Sequence, residues 1–211
     1  MFQPERHSLK NDIALVLAVA AAGFKLANCR SVGTDDGACW HATLVHGRTK
    51  IVTVSDGGYG GGTESEYHSA GGKTSVTADL EKLFAIPEVT AVVRGHLLYS
   101  LDLKQEFDKV SDVDYADAKA AIENSIPAPT DESVEALIDK LAQATRFADK
   151  IKRATKTKLV VVFEGGDAKG EYYSYAAPDT PANRAGVQRL DNRPIAYFMN
   201  DLFASNGRSA A

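Results

Sequence analysis

The sequence predicts an α+β fold, with two antiparallel β-hairpins, in one mixed or antiparallel sheet or apart, packed with several helices. Three observations predict it. The β-prone runs 38–46 and 49–55 flank Gly47-Arg48. A second pair, residues 159–163 and 171–175, flanks the turn-rich run Gly165-Gly166-Asp167-Ala168-Lys169-Gly170. Elsewhere apolar residues recur at three- and four-residue spacing, the period of a helix with one buried face.

The elements follow in order. Ile13, Val16, Leu17, Ala20 and Phe24 keep helical spacing behind a candidate cap at Ser8 or Asn11, so a buried helix ending near Asn28 is expected. The apolar run 13–24 also looks like a signal peptide, but it is too short to cross a bilayer, which needs about 20 apolar residues, and no small-x-small cleavage site follows it. Residues 33–37 form a turn cluster. Next comes the first hairpin, where glycine at the first turn position suits a type II′ turn. Trp40, Ala42 and Leu44 share one face of its first strand, as do Val52 and Val54 of its second. Residues 80–86 read as a short helix stopped by Pro87, and 89–93 as a strand.

From 102 to 139 the chain holds 11 Asp and Glu against 3 Lys, interrupted by Pro127-Ala128-Pro129. Thr130 or Asp131 then caps a helix whose apolar face is Val134, Leu137, Ile138 and Leu141. Its end turns basic: residues 146–158 hold six Arg and Lys and one Asp. After the second hairpin, Asp179-Thr180-Pro181 opens a helix, 194–203 reads as another, and 206–211 as a frayed tail. The expected division is residues 1–126 and 130–205, or a single domain 1–205.

Composition narrows the function. Charged residues make up 25% and apolar residues 44%, ordinary globular usage, and the net charge of −4 excludes a chain that simply coats nucleic acid. Two cysteines, Cys29 and Cys39, do not make a secreted disulfide scaffold. A cytoplasmic protein without membrane attachment is expected, its oligomeric state open.

Several motifs invite chemistry. Gly72-Lys73-Thr74 lacks the glycine that a phosphate loop needs five residues earlier, where Tyr67 stands. Gly57, Gly58, Gly60, Gly61 and Gly62 form a loop whose amides could cradle an anion, although such loops more often only turn the chain. His41 and His46 face opposite sides of a strand, and His41 with Cys39 and a distant His68 is a weak ligand set, so no metal and no cofactor is expected. No catalytic residue is assigned.

The strongest binding candidate is the basic run, Arg146, Lys150, Lys152, Arg153, Lys156 and Lys158. Arg146, Lys150 and Arg153 fall on one helix face that can meet phosphates. The plainer reading is a set of cations complementing a helix C-terminus, or neutralised by the acidic stretch before them.

The residues from Trp40-His41-Ala42-Thr43-Leu44 through Gly47-Arg48 to Val52-Thr53-Val54 and Gly58-Tyr59-Gly60-Gly61 resemble a pattern in small uncharacterised proteins of phages, prophages and plasmids. There an aromatic-x-Ala-x-Leu strand leads to a Val-x-Val strand and a Gly-x-Gly-Gly loop. Residues 157–163, Gly166-Asp167 and the strand with Tyr172 resemble their C-terminal part. The two matches cover about a quarter of this chain. The resemblance implies a non-enzymatic accessory protein that contacts a host protein or ribonucleoprotein, with anti-CRISPR and other anti-defence inhibitors among its kind. Nucleic-acid binding through 146–158, and a phosphate-bearing ligand at 57–62, are the alternatives.

Overall fold

A computed structural model describes residues 8–34, 37–57, 62–68, 72–108 and 111–204. In chain order the elements are α1 (Leu9–Ala21), β1 (Phe24–Thr34), β2 (Gly37–His46), β3 (Thr49–Asp56), β4 (Glu64–Tyr67), α2 (Lys73–Phe84), α3 (Pro87–Asp108) and α4 (Asp112–Asn124). They continue with α5 (Asp131–Thr155), β5 (Leu159–Phe163), a 3-10 turn at Asp167–Lys169, β6 (Tyr173–Tyr175), α6 (Pro181–Leu190), β7 (Ile195–Phe198) and α7 (Met199–Ala204). The fold is α+β, with two antiparallel sheets. The chain divides into a larger unit, Leu17–Gln143, and a smaller one made of Met1–Val16 with Ala144–Ala211.

The larger unit carries a four-stranded meander in the order β1-β2-β3-β4. The expected hairpin is its centre: Ala42 pairs with Val54 and Leu44 with Val52, and all four are fully buried. Gly47 opens the turn at φ 60°, while Arg48 keeps a negative φ, as a type II′ turn requires. On the opposite face the Thr43 and Thr53 hydroxyls are 2.9 Å apart, and His68 Nε2 lies 2.5 Å from Thr53 Oγ1.

Several elements here differ from expectation. The first helix stops at Ala21, not near Asn28. Gly23 at φ 85° turns the chain out, its amide donating to the Ala20 carbonyl at 3.0 Å. Phe24, which kept helical phase, instead pairs with His46 as the first residue of β1 and stacks on its ring, centroids 4.2 Å apart. Asn28, the expected helix end, sits at a bulge between Ala27 and Arg30 with φ 53°. Ser8, one of the two expected caps, accepts from the Asn11 amide at 3.2 Å. Beyond the hairpin, polar Glu64–Tyr67 adds the edge strand β4, antiparallel to β3.

Residues 89–93, expected as a strand, lie in α3. Pro87 starts that helix at its first position, where a fixed φ helps and a missing N–H costs nothing. Val89 and Val93, one turn apart, are its buried residues. The helix before it starts at Lys73, earlier than residue 80, and buries Leu80, Leu83 and Phe84 completely. α3 and α4 pair as a helical hairpin: Arg94 Nε and Nη2 donate to the Ile122 and Ser125 carbonyls at 3.1 and 2.8 Å. Further along, Gln105 Nε2 donates to Asp112 at 3.0 Å. Thr130 caps α5 by accepting from the Ser133 amide at 3.2 Å, and Val134, Leu137, Ile138 and Leu141 are its buried face, as expected.

The smaller unit centres on β5, buried at all five positions. β6 flanks it antiparallel, the second expected hairpin, with Leu159 opposite Tyr175 and Val161 opposite Tyr173. Its other edge is filled by β7, with Val161 opposite Phe198. Residues 194–203 are therefore not one helix but a strand followed by the short α7. The spacing of Ile195, Phe198, Met199 and Leu202 fits a helix, yet a fully apolar strand left open on one edge needs a partner for its amides. Leu159, Val161, Phe163 and Val187 form the core, with Tyr175, Ile195 and Phe198 against it. Thr180 caps α6, accepting from the Asn183 amide at 3.2 Å. Asp167 takes hydrogen bonds from the Ser8 and Tyr197 hydroxyls and, at 3.1 Å, from the Lys10 amide. A carboxylate thus sits on the first turn of α1, where the helix dipole favours negative charge. Burial, then that bond to Asp167, pushes the Tyr197 phenol well above its ordinary value. The expected tail, 206–211, lies outside the described residues.

Candidate nucleic-acid interface

The last three turns of α5 are built from two opposed residue sets. Ala144, Ala148 and Ile151 are buried at 0%, 4% and 0% exposure, so one face of the helix is anchored. Arg146, Lys150, Lys152 and Arg153 occupy the remaining surface and are exposed. The helix stops at Thr155, and the turn that leads into β5 carries Lys156 and Lys158, also exposed. The helical period forces this segregation: placing 144, 148 and 151 inside leaves 146, 150 and 153 outside.

The turn is held in place by one side chain. Asn200 Oδ1 accepts from the Val160 amide at 2.9 Å, and its Nδ2 donates to the Lys158 carbonyl at 3.0 Å and more weakly to Thr155 O at 3.4 Å. Asn200 is 7% exposed. The lysines at 156 and 158 therefore project from a backbone fixed at its base.

Among the described residues, none of the six cations is ion-paired with a carboxylate. Their interactions stay close to the run itself: Arg153 Nε donates to the Asp149 carbonyl at 3.2 Å. Lys150 lies 5.6 Å from the centre of the Tyr172 ring, and its hydrogen bond to that hydroxyl holds its ammonium above the ordinary lysine value. Phe147, inside the basic run, meets Tyr172 at 66° with centroids 5.9 Å apart. Tyr172, just before β6, is not among the site residues expected from the sequence. The one related signal in the sequence was Phe147, an aromatic inside the cation run.

Charge is also divided between the units. The smaller unit carries 13 Lys and Arg against 9 Asp and Glu, a net of +4, and the larger 11 against 19, a net of −8. The two units thus carry net charges of opposite sign.

The remaining candidates are dispersed. Gly57 and Gly62 are exposed at the ends of β3 and before β4, and a side chain at Gly62 would meet nothing within 4 Å. Gly58, Gly60 and Gly61 lie outside the described residues. Lys73 is tied to Asp131 at 2.8 Å, an acceptor it shares with the Tyr67 hydroxyl at 2.6 Å. The histidines have separate partners: His46 Nδ1 is 3.1 Å from Asp79, His68 bonds Thr53, and His41 pairs across the sheet with Arg30 and Ser55.

The α3–α4 hairpin has a different character. No residue of α4 is buried, and Phe107, Val113 and Ile126 are 72%, 70% and 63% exposed. Glu106, Asp108, Asp112 and Asp114 neighbour the first two in sequence. No helix among the described residues is long and apolar enough to cross a membrane. No protein-family model matches this chain, and no curated protein or solved structure was found to be similar to it.

Proposed function

We propose that this chain is a non-enzymatic binding protein that acts by contact with a macromolecule, and that its contact with nucleic acid is made by the basic end of α5. The observation that carries the reading is the set of six exposed cations, Arg146 to Lys158, with no carboxylate partner among the described residues. Surface lysines usually gain little by pairing, but leaving a cluster of six unneutralised raises local potential, which a phosphate backbone relieves by releasing its counterions. Complementing the helix dipole accounts for one or two cations in the last turn, not for Arg146 two turns earlier or Lys158 beyond the helix.

The test is binding of a fluorescein-labelled 15-mer, as strand and as duplex, between about 50 and 300 mM salt. Affinity is expected to fall steeply with salt. Replacing Arg146, Lys150, Arg153 and Lys156 by alanine is expected to weaken binding at least tenfold and to flatten the salt dependence by about one unit for each phosphate no longer reached. Unchanged affinity in that variant sinks the reading.

A second reading rests on the α3–α4 hairpin. Exposed Phe107 and Val113 beside four carboxylates suit a protein partner with an apolar pocket and a basic rim, as expected of an anti-defence inhibitor from a mobile element. It predicts a complex from bacterial lysate that survives nuclease and disappears when both residues become serine. Because they are exposed, that variant should melt with the parent protein. A complex retained by the double variant excludes the hairpin.

A further inference from the structure

We infer that the nucleic acid bound at the end of α5 is single-stranded, and that one of its bases stacks on Tyr172. This rests on the nucleic-acid reading above and narrows it.

Two observations favour a single strand over a duplex. The first is that α5 is embedded where its cations lie. Ala144, Ala148 and Ile151 are buried, and the chain turns at 156–158 straight into fully buried β5. A recognition helix enters a major groove about 12 Å wide as a projecting cylinder, with its contact face and flanks free. Buried along 144, 148 and 151 and followed at once by β5, the end of α5 presents a ridge of cations, a shape that can follow a single phosphate backbone.

The second is the aromatic beside the cations. Tyr172 is half-buried, in ring contact with Phe147 and Lys150, which lie between Arg146 and Lys152 on the same helix. Its contacts with Phe147 and Lys150 limit the ring's freedom, so less is left to lose on binding. In a duplex the base faces are covered by their neighbours and a protein aromatic gains nothing from them. In a single strand they are open, and each base stacked on a side chain strengthens binding by about five- to a hundredfold.

The probes are dT15, an abasic phosphodiester strand of the same length and charge, and a 15-base-pair duplex, measured by fluorescence anisotropy on the full chain at one salt concentration. The parent protein should bind dT15 about tenfold more tightly than the abasic strand, and more tightly than the duplex. Tyr172→Leu, which keeps an apolar contact for Phe147, should abolish the preference for dT15 over the abasic strand. The comparison of dT15 with the abasic strand needs no variant, so a misfolded Tyr172→Leu does not decide it. Equal affinity for dT15 and the abasic strand overturns the stacked base while leaving phosphate binding intact. Duplex binding as tight as dT15 overturns the single-strand preference, and no binding of any probe overturns the nucleic-acid reading itself.

Discussion

Asn200 shows how much one polar side chain can decide. It is buried beside the start of β5 and satisfies the Val160 amide and the Lys158 carbonyl, groups that a strand entering from a tight turn would otherwise bury unpaired. A net hydrogen bond is worth about 1 kcal/mol, but an orphaned buried donor or acceptor costs about 1–3 kcal/mol. Asn200→Ala is therefore expected to lower stability by about 2–4 kcal/mol in a denaturant titration. A loss below about 0.5 kcal/mol for alanine would mean that water replaces the amide. Arg184 acts similarly from a more exposed place. Its guanidinium meets Asp179 at 2.6 and 2.7 Å and Asp201 at 2.7 and 3.1 Å, and lies 4.5 Å from the Phe198 ring centre. Lysine has neither the fork nor the plane for that arrangement.

At the scale of elements, legibility followed the strength of local signals. The Gly47-Arg48 hairpin and the Leu159–Phe163 strand carry turn chemistry and β-branched runs that agree with their final pairing, so they could be read directly. The same holds for α5 and α6, whose threonine caps at 130 and 180 precede an acidic and a proline-marked first turn. What could not be read was decided by distant partners. Phe24 satisfies a helical period and a strand equally, and it is the ring of His46, 22 residues on, that claims it. Ile195–Phe198 becomes a strand because β5 has a second edge to fill. β4 is polar on both faces, so alternation gave no sign of it, and it forms because β3 offers amides to pair. The basic run illustrates both cases. Its charge was visible in the sequence, whereas Tyr172 joins it only through the pairing of β5 with β6, 19 or more residues along the chain from Arg146–Arg153.

For the whole molecule, the placement of charge makes acid the sensitive variable. Asp191 is held at about 2, chiefly by its hydrogen bonds with Arg193. Asp179 is lowered by Arg184, and Asp131 by Lys73 and then Tyr67, from an ordinary value of 3.8. These carboxylates belong to both units, so the effect is not confined to one part of the chain. A carboxylate with a depressed folded-state value binds its proton first in the unfolded chain, so its stabilisation is complete above about pH 5 and is lost as pH falls toward the folded value. As the 28 acidic groups are neutralised the 24 Lys and Arg remain, and a net charge of −4 becomes strongly positive, which adds self-repulsion to the loss of pairs. Melting temperature is thus expected to hold steady from pH 7 to about 5 and then fall continuously to about pH 2. Asp191→Asn should start from a lower value at pH 7 and fall less steeply, since it has no proton left to gain. If the variant and the parent protein lose the same number of degrees between pH 5 and 2, the Arg193 pair does not contribute to folding and the acid response comes from net repulsion alone.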